Sequence, residues 1–228
     1  MKHLSLIVNV LESYEIVRRQ LLHLRRILTP ECELIMVDDG SVPSLEATCD
    51  SVMKTFSFVL HCTHDRRPWT QPKARNIGAS LARARELLFF DIDHMITKEI
   101  IDNCLRYSGD KLHWVRKPAI LDANGNIVTD RKILEDHGLT SMAPSVHWNS
   151  FMIRKELFFQ LGGYDERFCG RYGGDDIDFN SRYEQLCWAG LARPAEILGE
   201  GYVFPDPARD VKGLFHSLKR QAVEHQTT

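Results

Sequence analysis

The chain has 228 residues, 43% hydrophobic and 26% charged, with a formal net charge of −2. That length allows one continuous core, and so small a net charge removes the bulk electrostatic case for nucleic acid or a membrane surface as partner. The start, Met1-Lys2-His3-Leu4, runs straight into a strand-like segment whose apolar run is too short for a signal peptide or a membrane span. Residues 4–10 predict that first strand. Residues 14–28 carry apolar positions at helical spacing (Ile16, Val17, Leu21, Leu22, Leu24, Leu28), and Thr29-Pro30 ends the helix. A strand over 33–38, a helix over 44–54, a strand over 56–62, a loop over 63–72, a helix over 73–85 and a strand over 86–91 follow. This β-α-β-α-β-α-β order implies a largely parallel sheet with right-handed crossovers.

The second half is less regular. Thr97 to Tyr107 suits a helix, and residues 112–121 and 126–129 flank Asp122-Ala123-Asn124-Gly125, a hairpin signal. Residues 130–145 lack periodicity and read as a loop. A strand over Val146–Ile153, a short helix over 154–161, a break at Gly162-Gly163, a helix from Asp176 to Trp188 and a last helix over 208–223 complete the reading. No linker separates the halves, so one domain is expected over 1–228, with two functional lobes. The six cysteines form no CxxC pair and read as packed free thiols of a reducing, cytoplasmic compartment.

Four motifs carry chemistry. The apolar run Leu34-Ile35-Met36-Val37 ends in Asp38-Asp39-Gly40-Ser41, and Leu87-Leu88-Phe89-Phe90 ends in Asp91-Ile92-Asp93. A buried strand cannot keep carboxylates inside, so both clusters emerge at strand ends, where ligands bind in open α/β sheets. Alternation puts Asp91 and Asp93 on one side, able to divide a ribose hydroxyl and a divalent cation between them. Turn chemistry explains Gly40 and Ser41 but not two adjacent aspartates. Lys73-Ala74-Arg75-Asn76-Ile77-Gly78 opens a helix with cationic side chains, suited to a diphosphate or a base, although a solvated basic helix start explains it equally when it stands alone. Gly162-Gly163-Tyr164-Asp165-Glu166-Arg167-Phe168 precedes Gly173-Gly174-Asp175-Asp176-Ile177-Asp178; capping accounts for one aspartate there, not for the whole cluster.

Jointly, and in this order over about residues 4–190, these segments together with Val8-Asn9 resemble the family two glycosyltransferases of GT-A fold: a Rossmann-like, mostly parallel central sheet with flanking helices and a smaller acceptor-side lobe. The last block also resembles a galactosyltransferase-like C-terminal region, with Asp175-Asp176 where Glu-Asp is usual; Asn9-Val10-Leu11-Glu12 departs from the family's usual first-strand run. The resemblance implies an inverting transfer of a sugar from a nucleoside diphosphate sugar, a UDP-sugar by expectation, to a hydroxyl of a glycan or glycoconjugate, with Mn2+ or Mg2+ as cofactor. It implies Asp176 as general base and Asp175 orienting the acceptor. Val8, Asn9, Glu12, Asp38, Asp39, Arg75, Asn76, Asp91 and Ile92 would hold the donor, with Asp39 on the base and Arg75 beside it. Asp93 would ligate the metal with His216, or else His147. An acceptor at a membrane face would make any membrane association peripheral.

Two other classes compete. A sugar nucleotidyltransferase would carry a glycine-rich basic loop after the first strand, where this chain has the acidic Leu11-Glu12-Ser13-Tyr14-Glu15. A non-catalytic sugar-nucleotide-binding module would have no need of both Asp93 and Asp176. The aromatics Trp69, Trp114, Trp148, Tyr164 and Tyr172 are expected to pack rather than to meet sugar faces.

Overall fold

The computed structural model describes residues 3–48, 56–204 and 215–219. Apart from the helix expected over 44–54, the first half follows the predicted order: β1 (Leu4–Val10), α1 (Tyr14–Ile27), β2 (Cys32–Asp38), β3 (Val59–Cys62), α2 (Gln71–Leu81) and β4 (Glu86–Phe89). Then come β5 (His94–Met95), α3 (Lys98–Arg106), β6 (Lys111–Pro118), β7 (Ile120–Leu121), β8 (Ile127–Val128), α4 (Arg131–Asp136), β9 (Ser145–Val146), β10 (Phe151–Arg154), α5 (Lys155–Gln160), α6 (Asp175–Trp188) and β11 (Glu196–Val203). The strands form a sheet in the order β3-β2-β1-β4-β10-β6-β11-β5, with β9 on β6. β3, β2, β1 and β4 are parallel; β10 is antiparallel to both β4 and β6.

Strand alternation feeds two layers. Leu4, Leu6, Val8 and Val10 of β1, with Leu34 and Met36 of β2, face Ile16, Val17, Leu21 and Leu24 of α1 and Ile100, Ile101 and Cys104 of α3. Ile7, Ile35, Val37, Phe89, Phe151 and Ile153 face the other way, against Ala74 and Ala79 of α2, Leu157 and Phe158 of α5, and Phe179 and Tyr183 of α6. Gly78 is what lets α2 lie close on the sheet, because a Cβ there would come within 2.4 Å of Ile7 Cγ2.

Several expectations change. The strand expected over 146–153 is two strands, β9 and β10, interrupted by the turn at His147–Asn149. The loop expected over 130–145 contains α4, capped by the Asp130 carboxylate, which accepts from Ile133 N. β11 was not anticipated; it pairs parallel to β6 with a register shift between Ile197 and Glu200, a segment whose charges and Gly199 hide its alternation. Of the helix expected over 44–54, residues 45–48 form turns and 49–55 lie outside the described residues. The last helix, expected over 208–223, falls mostly outside them too; Phe215 and His216 form a helical turn. Asp122 organises the expected hairpin by accepting from Asn124 N at 2.9 Å and Asn126 N at 2.8 Å. The five described cysteines are free thiols. Among the described residues, no helix is long and apolar enough to cross a membrane.

Lys111 is the unusual occupant of the core. Its ammonium hydrogen-bonds to Asn180 Oδ1 and lies 4.6 Å from the ring centroids of both Phe151 and Tyr183. Burial pushes it down from 10.5 to about 7, against a smaller opposing pull from Cys187 and Glu184. Between those two values the unfolded chain binds more protons, so this lysine makes stability rise with pH across that window. The stability of the wild type relative to Lys111→Met is therefore expected to rise from pH 7 to 9 by up to about 1.4 kcal/mol per unit. Urea midpoints at each pH check this, and a constant difference would show a lysine that titrates as in the unfolded chain.

Candidate functional site

The chain passes from β1 to β2 to β3 on one side, then returns to place β4 on β1's other side. The carboxyl ends of β1, β2 and β4 thus diverge around a topological switch point, where backbone crossovers leave a crevice. There the structure has a cleft of about 440 Å³, lined by Asn9, Asp39, Asp91, Ile92, Asp93 and, from the start of α6, Asp175 and Asp176. β10 runs antiparallel, so the residues that precede it, His147 and Asn149, reach this same edge.

Asp39 is buried, and its Oδ1 accepts from Thr70 Oγ1 at 2.5 Å and lies 3.1 Å from Lys219 Nζ. Burial raises its carboxyl above the usual range, and Lys219 and Thr70 offset part of that. The 91–96 loop is held from α1, where Gln20 Nε2 donates to Ile92 O at 2.8 Å and to His94 O at 2.9 Å, and His23 Nε2 meets Ile96 O at 2.7 Å. Asp91 Oδ1 accepts from Arg75 at 2.7 Å and its Oδ2 lies 3.4 Å from His147 Nδ1. Asp91, His94 and His147 bring ligand atoms within 4.8 Å of one another, the one such metal-capable group of three among the described residues. Burial lowers both imidazoles to about 4, despite Asp91, leaving them neutral as metal ligation requires. Their readiness differs. His147 Nδ1 is buried with no hydrogen bond, whereas His94 Nε2 accepts from Arg116 at 2.8 Å and its Nδ1 is paired with Ser150 Oγ.

On the far side of the sequence from these strands, Gly174 caps α6 with φ +89°, a conformation that favours glycine, and α6 starts with Asp175 and Asp176. Asp176 is half-buried and lines the cleft; its Oδ1 accepts from Ile177 N at 2.9 Å. Asp175 is buried, its Oδ1 accepting from Trp69 Nε1 at 2.9 Å while Oδ2 has no hydrogen-bond partner; burial raises its carboxyl. Trp69 holds φ at +47°, uncommon for a bulky residue, and packs edge-on against Tyr172 at 4.5 Å and Phe215 at 4.9 Å. All three aromatics line the cleft.

Other expected site residues lie elsewhere. Val8 is in the core layer facing α1. Asp38 points inward, its carboxylate accepting from Ser41 N at 2.9 Å and Leu45 N at 2.7 Å, so it shapes the turn that presents Asp39. Glu12 is a turn residue whose N–H donates to Ser41 Oγ at 2.9 Å, and it does not line the cleft. Asn76 ties α2 to the Tyr164 backbone, donating to its carbonyl at 2.9 Å and accepting from its N–H at 2.8 Å. Arg75 is 1% exposed and lies beneath the cleft, spent on Asp91, Asn149 and Tyr164 rather than turned towards a diphosphate. His216 is exposed beside Tyr172, outside both the cleft lining and the Asp91 group, while Asp93 lines the cleft outside that group. Sequence reasoning missed His94, Arg116, Asn149 and the cleft role of Trp69, because none belongs to a recognisable spacing; the proline-bearing loop before α2 was the one available signal for Trp69.

An open α/β sheet with a carboxylate-rich switch-point cleft defines the class: proteins that bind a ligand at the diverging ends of parallel strands. The model of Glycosyl transferase family 2 matches residues 5–164, and the chain belongs to that family. No curated protein matches it by sequence. Among solved structures, S. aureus TarS 1–349 in complex with UDP-GlcNAc is similar at 20% identity and a TM-score of 0.62, covering 92% of this chain and 60% of that one. Mannosyltransferase PcManGT from Pyrobaculum calidifontis, in complex with GDP-Man and Mn2+, is similar at 16% identity and 0.62, covering 91% and 58%. A 4-diphosphocytidyl-2C-methyl-D-erythritol synthase from Anaerococcus prevotii is similar at 13% and 0.53, covering 88% and 89%. These likenesses show the fold, GT-A. The chain spans about 60% of the length of the TarS structure.

Proposed function

We propose that this chain is an inverting glycosyltransferase that moves a sugar from a nucleoside diphosphate sugar to an acceptor hydroxyl. The observation that carries the reading is one cleft, at the switch point, lined by Asp39, Asp91 and Asp93 together with Asp176. The nucleotide-sugar complexes of TarS and PcManGT support it by analogy of fold. Residues 1–228 act as one unit in this reading, the donor held by about 1–95 and the acceptor by about 96–228.

The roles follow from position. Asp39 accepts the N–H of the base, and Lys219 and Thr70 hold its carboxylate in place. Asp91 meets the ribose side of the donor, anchored from below by Arg75. Arg116, which lines the cleft, takes the part of the diphosphate's cationic partner that Arg75 is too buried to play. The donor set for a cation fits: neutral His147 whose Nδ1 makes no hydrogen bond, the Asp91 carboxylate 3.4 Å from it, His94 if Arg116 turns away, and Asp93 in the same lining. A divalent ion such as Mn2+ or Mg2+ held there supplies charge stabilisation for the departing diphosphate. His147 thus replaces His216 as the favoured histidine.

Asp176 takes the proton of the acceptor hydroxyl as that oxygen bonds to the anomeric carbon. The carbon's bond to the diphosphate oxygen breaks on the opposite face, and the electron pair leaves with the nucleoside diphosphate. Asp175, locked by Trp69, orients the acceptor. The Trp69, Tyr172 and Phe215 rings border the space for the transferred sugar and limit water.

A thermal-shift series with UDP, GDP and their sugars, with and without Mn2+, tests the reading. A bound donor at a hundredfold excess over Kd is expected to raise Tm by about 5–10 °C, and more with Mn2+ than without. Absence of any shift, together with pyrophosphate release from a nucleoside triphosphate and a sugar phosphate, would replace transfer with nucleotidyl chemistry.

A further inference from the structure

A second cavity lies outside the cleft. It measures about 490 Å³ and is lined by Trp148, Trp188, Tyr183, Ile197 and Pro194 around Lys111, His113, Asn180 and Glu184. Trp188 is 81% exposed and Trp148 53%, which is costly surface to leave in water for two of the chain's four tryptophans. Beneath them the floor is polar and buried. Lys111 and Asn180 are paired, and His113 Nδ1 meets Ser150 O at 3.2 Å while its Nε2 has no hydrogen-bond partner. The Trp148 ring lies edge-on to His113, 6.0 Å between centroids.

Amphipathic aromatic walls over a few fixed polar groups make a binding pocket for a ligand with apolar faces and hydroxyl edges. A sugar ring has that character. A lipid surface fits worse: it needs no concave polar floor, and Glu184 in the lining and Glu196 on β11 would repel anionic headgroups.

Position connects this pocket to the cleft. Trp148 stands between His147 and Asn149, both of which line the cleft. α6 begins at Asp175 and Asp176 in the cleft and carries Asn180, Tyr183, Glu184 and Trp188 along the pocket. At a rise of about 1.5 Å per residue, Tyr183 lies roughly 10 Å along the helix from Asp176. We propose that the Trp148–Trp188 pocket is a glycan subsite that holds a sugar unit of an oligomeric acceptor, remote from the hydroxyl presented to Asp176. The proposal rests on the transferase reading for its purpose, but the binding it claims does not require catalysis.

The test is a glycan array of neutral and N-acetylated oligosaccharides probed with the wild-type chain, Trp148→Ala, Trp188→Ala and Asp176→Asn, with vesicles of anionic phospholipid as a parallel probe. Expected are binding of a subset of glycans longer than one sugar, weakening by about five- to tenfold in each tryptophan variant, and retention in Asp176→Asn. Circular dichroism and UDP-induced thermal shifts confirm that the tryptophan variants keep fold and cleft. Glycan binding without any donor-induced shift would sink the transferase reading and keep the subsite. No glycan bound by the wild type, or binding indifferent to both tryptophans, overturns the subsite. Vesicle binding that both tryptophan variants lose, with an empty array, assigns the patch to a lipid surface instead.

Discussion

Asp176→Asn is expected to lower sugar transfer by about a thousandfold while leaving donor affinity within a factor of two. The amide keeps the side chain's shape and its acceptance of the Ile177 N–H, and removes only the basicity. Asp176 stands at the N-terminus of α6, and the carboxylates proposed to hold the donor line the same cleft from the ends of β2 and β4. The affinity for nucleotide sugar, by calorimetry, and the release of nucleoside diphosphate with acceptor present separate the two effects. Turnover near the wild-type level would remove Asp176 from the role of base. The parallel change at Asp175 has a different expected signature: it loosens the Trp69 contact, so acceptor KM moves more than kcat.

Arg75→Met is expected to cost about 3–5 kcal/mol of stability, the largest single-residue effect outside the apolar core. The guanidinium donates to Asp91 Oδ1 at 2.7 Å, Tyr164 OH at 2.8 Å and Asn149 O at 2.9 Å, and lies 5.3 Å from the Tyr164 ring centroid. Methionine matches the stem and leaves the buried Asn149 and Tyr164 acceptors and the half-buried Asp91 carboxylate without the guanidinium. Because Arg75 joins α2 to the 91–96 loop and to the turn before β10, the same change is expected to loosen the cleft and abolish the nucleotide-induced thermal shift. Denaturant midpoints measure the first effect. A loss below about 1 kcal/mol would show that water replaces the guanidinium.

The first half of the chain was legible because its periodicities are strong. Four apolar runs with helical spacing between them specify parallel strands, and carboxylates at the ends of β2 and β4 have only the sheet's edge to go to. Asp39, Asp91 and Asp93 were found this way, Asp176 from the glycine-aspartate cluster before α6, and all four line one cleft. β11 escaped because its alternation is broken by Gly199 and by charges, and its place beside β6 depends on a partner more than 70 residues earlier in the chain.

By itself, then, the sequence determined the architecture and the acidic residues around its switch point, since both follow from local hydrophobic pattern and from the cost of burying charge. Tertiary structure decided the rest. It turned Asp38 inward and sank Arg75 beneath the cleft, where packed partners rather than motif position set their roles. It also brought His147 to Asp91 and His94 through an antiparallel strand, and laid Trp69 on Asp175 across 106 residues of chain. Such contacts form between segments distant in sequence, and only the folded sheet brings them within reach of one another.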